Sequence, residues 1–167
     1  MPAVSDALRD IFRHNAWANT RAIEACGALT EAQVAATLIG TFGAPQETLK
    51  HILGAESFYR SMFGIPQDHW GEWTSRLETL SIADMLPWAE KLGAAWDELL
   101  AGPEVDSEEV FEQHRADGTV RRFRAGALLT QAIHHGNVHR EQICSIITSL
   151  GLEAPDLSAY AYEREGR

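Results

Sequence analysis

The sequence predicts an all-α fold, a four-helix bundle with a small β-hairpin-like insertion before the last helix. Three features point there. Four long stretches repeat apolar residues at spacings of three, four and seven, the period of a helix with one buried face. Capping residues open these stretches and glycines close most of them. The one segment of strand character is divided by Asp117-Gly118, a strong hairpin-turn pair. With 167 residues, 45% of them hydrophobic, the chain suffices for one proper core and is read as a single domain over residues 1–167.

In the first stretch, "SDALRDIFRHNAWANTRAIEAC" sets Leu8, Ile11, Phe12, Ala16 and Ile23 on one stripe, with Ser5 as the expected N-cap and Gly27 as the end. A short helical turn capped by Thr30 follows, and then the loop "IGTFGAP". The second long helix starts at Pro45, carries an early acid at Glu47, and stops at Gly64; Leu49, Ile52, Leu53, Phe58 and Met62 form its apolar side. After a loop rich in Trp, Gly and Pro, Ser81 caps a third helix running to about Leu100, with Asp84 three residues on and Pro87 in its first turns. The hairpin is expected around Val110, Thr119, Val120 and Phe123. A fourth helix then carries Leu128, Leu129, Ile133, Ile143, Ile146, Ile147 and Leu150 to Gly151. The tail, residues 152–167, has a weak pattern and is expected to dock on the bundle or fray at its end.

Charge and composition narrow the function. Fourteen Lys and Arg against 24 Asp and Glu give a formal charge of −10, which repels nucleic-acid phosphates and anionic lipid. No run approaches the roughly 20 apolar residues of a membrane span, and the N-terminus lacks a basic-then-apolar leader, so a cytoplasmic protein is expected. Cys26 and Cys144 are far apart in helical patterns, which gives neither a redox motif nor a disulfide framework; both read as small buried hydrophobes.

The chemistry is concentrated in "QAIHHGNVHREQI". His135 and His139 lie four apart, one helical turn above each other on the same face. That face becomes apolar at Ile143, so the pair belongs to the interior. Buried imidazoles need partners, and a divalent ion satisfies two at once. A third candidate, His51, lies on the apolar stripe of the second helix with Thr48, Ile52, Ala55 and Tyr59. Three imidazoles plus an open position is the usual arrangement of a catalytic ion.

Together, "LKHILGAESFY", "HGNVHREQI" and the N-terminal "FRHNAWANTRAIEA" resemble the DinB family of four-helix-bundle metal-binding proteins, which includes the YfiT-like group, over about residues 7 to 151. The resemblance implies that a His near the start of the second helix joins an HxxxH pair in the last, here His51, His135 and His139, followed by Gln142 and Ile143. Many members read HRGQ where this chain has HREQ; Glu141, two residues from His139, is expected to point away from the ion. The resemblance further implies a homodimer and a metal-dependent enzyme acting on a small molecule, either a thiol S-transferase using a low-molecular-weight thiol or a hydrolase. The alternative is a non-catalytic metal-binding or structural protein of the same fold. Three imidazoles suit several divalent ions, with zinc or nickel foremost.

Other residues receive lesser readings. The reacting group is expected to be a metal-bound water or thiol, and no general base is evident. Gln142, three residues from His139, is expected to brace a ligand or a substrate carbonyl. Glu56, about 140° around the helix from His51, reads as a supporting or surface carboxylate, and Tyr59 as core lining. His134 lies too far around its helix to share the ion, and His14, His69 and His114 read as surface or loop histidines. Trp70, Trp73, Trp88 and Trp96 are read as packing residues, or else as an apolar rim, and Gly136 as a point of close approach or of ordinary drift.

Overall fold

The computed structural model describes residues 3–64, 79–103 and 105–166. Its helices are α1 (Ala3–Gly27), α2 (Glu31–Val34), α3 (Pro45–Ser61), α4 (Ile82–Ala101), α5 (Ala125–Ser149) and α6 (Ala159–Arg164), and its strands β1 (Val110–His114) and β2 (Val120–Arg124) lie just before α5. The four long helices form the bundle and the two strands form the hairpin, so the fold expected from the sequence is the one observed. Among the described residues no helix is long and apolar enough to cross a membrane.

Local chemistry sets most of the ends. Thr30 and Gln33 form a reciprocal capping box on α2, and Ser81 and Asp84 another on α4. The Glu47 carboxylate accepts the Ala44 N–H at 3.2 Å, which, with Pro45 in the first turn, opens α3. Helix α1 begins at Ala3, two residues before the expected cap at Ser5. In the hairpin, Asp117 Oδ1 accepts both the Thr119 N–H (2.9 Å) and the Thr119 hydroxyl (2.6 Å). Gly118 takes a φ of 81° there, which a side chain would resist.

Around the bundle, α1 packs against α4 and α5, and α3 packs against the same two helices from the other side. The core between them holds Phe12, Ile23, Leu49, Ile52, Leu53, Met85, Trp88, Leu92, Trp96, Leu129, Ile143 and Ile147. Trp88 and Trp96 therefore pack as core residues, Trp96 against the Phe12 ring at 4.6 Å. Trp70, Trp73 and His69 lie outside the described residues. Three apolar assignments need correction: Ile11 stands at the edge of its stripe, 47% exposed, Leu150 at the end of its helix is exposed too, and Cys144 is only half-buried, whereas Cys26 is fully enclosed. Arg9 and Arg13 both hold Asp97 along the solvent edge of the α1–α4 seam.

The tail docks. Tyr162 packs on Trp17 at 5.6 Å, the Trp17 indole N–H donates to Glu165 at 3.0 Å, and His14 Nε2 meets the Leu157 carbonyl at 2.9 Å. His14 is thus a half-buried anchor for the tail rather than a free surface histidine.

The α1–α4 seam is tight at Gly93, where an added Cβ would lie 2.7 Å from the Ala16 Cβ. Overpacking of this kind costs about 1–3 kcal/mol, against a helix-propensity gain of about 1 kcal/mol for leaving glycine. Gly93→Ala is expected to lower stability and Gly93→Val to lower it further, read as falling urea midpoints; a stabilised Gly93→Ala protein would disprove the close contact.

Candidate metal centre

The three histidines singled out by their spacing meet at the α3–α5 seam. His51, from the second turn of α3, faces His135 and His139, one turn apart on α5, and all three are half-buried. One nitrogen from each lies within 4.8 Å of the others, a group that can hold a metal ion. Two of them, Nε2 of His51 and Nε2 of His135, are 2.9 Å apart and share a hydrogen bond. Tetrahedral coordination with metal–nitrogen bonds near 2.0–2.1 Å separates ligand nitrogens by about 3.3 Å, a spacing that falls between the 2.9 Å of this pair and the 4.8 Å that bounds the whole group.

Neighbouring groups orient the rings. Gln142 Oε1 accepts the Phe42 backbone N–H at 3.1 Å, which identifies it as the carbonyl oxygen, and it also lies 2.9 Å from His139 Nδ1. His139 therefore carries its proton on Nδ1 and leaves the Nε2 lone pair free. Phe42 stacks on His51 with centroids 4.0 Å apart and planes at 11°, and meets His139 edge-on at 5.3 Å. Tyr59 lies edge-on to His135 at 6.1 Å. Gln142 was expected to brace a ligand or a substrate carbonyl and meets His139 directly, whereas Phe42 carried no periodic signal in its loop and was missed.

Burial holds His51 below the ordinary histidine pKa, with nearby His139 adding to the effect. Burial also pushes His135 down to about 4, helped by His139, His51 and His134. Both rings are neutral at pH 7 and can offer lone pairs. His134 is exposed and points away, and His114 sits on the outer side of the hairpin.

Behind the triad lies a buried polar network that sequence reasoning did not find. Glu56 is 2% exposed, so it is not a surface carboxylate. Its two oxygens accept from the Asn15 amide at 3.1 Å and the Asn19 amide at 2.9 Å. The carbonyl oxygens of the same two amides accept from Arg140 Nη1, at 2.9 and 2.5 Å, and Arg140 Nη2 reaches Asn137. The two amides thus bridge a buried carboxylate and a buried guanidinium, each donating toward the acid and accepting from the base. Burial pushes the Glu56 carboxyl up, and Asn19, Arg140 and Asn15 pull it back down; burial also lowers Arg140 to about 10, well above neutrality. Gly136 makes the space, since an added Cβ there would sit 2.8 Å from Arg140 Nη1 and 2.9 Å from Asn15 Oδ1. The available signal was the pair Asn15 and Asn19, four apart on a buried face.

A four-helix bundle with three imidazoles gathered across one seam defines a class, that of helical bundles able to hold a metal ion between facing helices. The DinB family model matches residues 3–166, and the chain belongs to the DinB family. No curated protein and no solved structure matches it.

Two outcomes are expected. Arg140→Met strands the Glu56 carboxylate and is expected to cost about 3–5 kcal/mol, as for other broken buried pairs. Glu56→Gln is expected to cost less in the Arg140→Met background than alone, and additive losses in a urea double-mutant cycle would show the two groups to be independent. For His135, the folded protein keeps the ring neutral down to about 4, whereas an unperturbed ring protonates near 6.5. The unfolded chain binds more protons between those values, so the metal-free protein is expected to lose stability as pH falls through that window. An undiminished slope in His135→Asn would assign the loss to other groups.

Proposed function

We propose that the chain is a metal-dependent enzyme of the thiol S-transferase or hydrolase type, with His51, His135 and His139 as the ligands of a divalent ion, zinc or nickel foremost. The observation that carries this reading is the convergence of three imidazoles whose partners already orient them. Gln142 holds the His139 proton on Nδ1, Phe42 covers one face of His51, and Tyr59 walls His135. Among the described residues no cysteine or carboxylate joins the group, which favours a centre with room for a reactant.

A divalent ion at these nitrogens would lower the pKa of a water or thiol reaching it and polarise an electrophile. The chain supplies no thiolate of its own, because burial pushes the Cys26 thiol up to about 12 and Cys144 up to about 11. In S-transfer the thiol is therefore a co-substrate: its sulfur bonds to an electrophilic carbon, its proton passes to solvent, and the leaving group departs with the electron pair. In hydrolysis, water supplies both the attacking oxygen and the proton taken up by the leaving group. A second reading, an ion that only pins α3 to α5, is favoured by the origin of the ligands on those two helices. It requires a centre closed to added ligands.

Metal content of untagged protein after reconstitution is expected to be about one divalent ion per chain, lost in both His135→Ala and His139→Ala. With cobalt as the probe ion, an added low-molecular-weight thiol is expected to produce a sulfur-to-metal charge-transfer band. Absence of metal from the wild type, or full retention in His139→Ala, overturns the ligand assignment; a metal-loaded protein whose spectrum ignores both thiol and anions supports the structural pin.

A further inference from the structure

Beside the triad, between α3, the hairpin and α5, lies a cleft of about 560 Å³. Its floor includes Tyr59, two turns beyond His51 on α3, and Gln131, one turn before His135 on α5. The Tyr59 ring that lines the cleft is the one edge-on to His135 at 6.1 Å, so a single aromatic ring separates the cleft from that imidazole.

The roof follows from strand periodicity. Antiparallel pairing sets Phe111 opposite Phe123 and Gln113 opposite Arg121, and alternation puts these four side chains on one face of the ribbon. At the helix side that face is apolar: Phe123 meets Phe58 at 6.1 Å and Phe111 meets Phe63 at 5.1 Å. Toward the turn the same face ends in Gln113, Arg115 and Arg121, all lining the cleft.

The hairpin arginines divide by face. Arg122, on the outer face, pairs with Glu112 at 2.8 Å, and Arg124 pairs with Glu108 at 2.7 Å. Arg115 and Arg121, at the cleft, make no ion pair within 4.0 Å among the described residues; Asp117 in the turn acts on Arg121 through space without contact. In a protein carrying a formal charge of −10, two guanidinium groups with no carboxylate in ion-pair distance among the described residues, beside a largely apolar cavity, run against the net charge.

The geometry points to this cleft as the binding site for an organic carboxylate with an apolar, aromatic or aliphatic body. The body lies against Phe58, Tyr59 and Phe123, and the carboxylate is held by Arg115 and Arg121, whose planar, multi-donor heads match its two oxygens. Such a ligand, bound by its anionic end at the hairpin, directs its other end toward His135. The assignment of that end as the reacting one rests on the metal-centre reading above, whereas binding itself does not.

The test uses full-length, isotope-labelled protein in metal-free and zinc-loaded forms, titrated with 3-phenylpropionate and with 3-phenylpropan-1-ol while amide and aromatic shifts are followed. Saturable perturbations at Phe58, Tyr59, Phe123 and Gln131 are expected with the carboxylate in both forms. Affinity is expected to fall about tenfold or more for the alcohol, and likewise for the carboxylate in Arg115→Gln/Arg121→Gln, the loss of charge-assisted hydrogen bonds. Arg122→Gln/Arg124→Gln is expected to bind as wild type does. Equal affinity for acid and alcohol, undiminished binding after loss of Arg115 and Arg121, or no binding at millimolar probe overturns the proposal. Metal stoichiometry of Arg115→Gln/Arg121→Gln, measured alongside, is expected to equal that of the wild type, so failure of the cleft and failure of the metal centre read out separately.

Discussion

The constraint on which the structure depends is the buried link from Glu56 through Asn15 and Asn19 to Arg140, which joins α3, α1 and α5 inside the bundle. Apolar side chains tolerate sliding and rotation because dispersion contacts are non-directional. A carboxylate and a guanidinium joined through two amides do not, since each donor has one acceptor within reach and any rotation strands a charge away from water. The network therefore fixes how α3 and α5 are turned about their axes. His139 is adjacent in sequence to Arg140, and His51 lies five residues before Glu56. Fixing the second member of each pair aims the first at the α3–α5 seam.

The triad gains its character from its position at the edge of that interior. It is dry enough for burial to keep His51 and His135 deprotonated at neutral pH, and open enough for a cleft to adjoin it. A deeper site would exclude solvent and added ligands, and a shallower one would leave the rings hydrated and free to rotate. Phe42 and Gln142 add local order from opposite sides, one from the loop before α3 and the other from α5 itself.

Where the sequence was legible, the reason was periodicity. The helices follow from spacings of three and four together with the Thr30, Ser81 and Pro45 start signals, and the hairpin from Asp117-Gly118. His135 and His139 announced themselves because four residues make one turn, and His51 because it interrupts an apolar stripe. The misread residues share a different cause. Glu56 stood between a supporting and a surface carboxylate because its angle from His51 says where it leaves the helix but not which helix waits there. Ile11 sits at an exposed stripe edge, and His14 faces a tail whose docking site no local pattern specifies.

The sequence by itself determined the elements, their polarity, the interior face of each long helix and the three histidines as a candidate ligand set, because all of these depend on interactions within a few residues of chain. Only the tertiary structure decided that Asn15 and Asn19 bridge Glu56 to Arg140, that Phe42 stacks on His51, and that Arg115 and Arg121 overhang a cleft beside His135. Each of these joins residues distant along the chain, and each is set by how whole helices and the hairpin rotate and pack against one another, a quantity that no local repeat encodes.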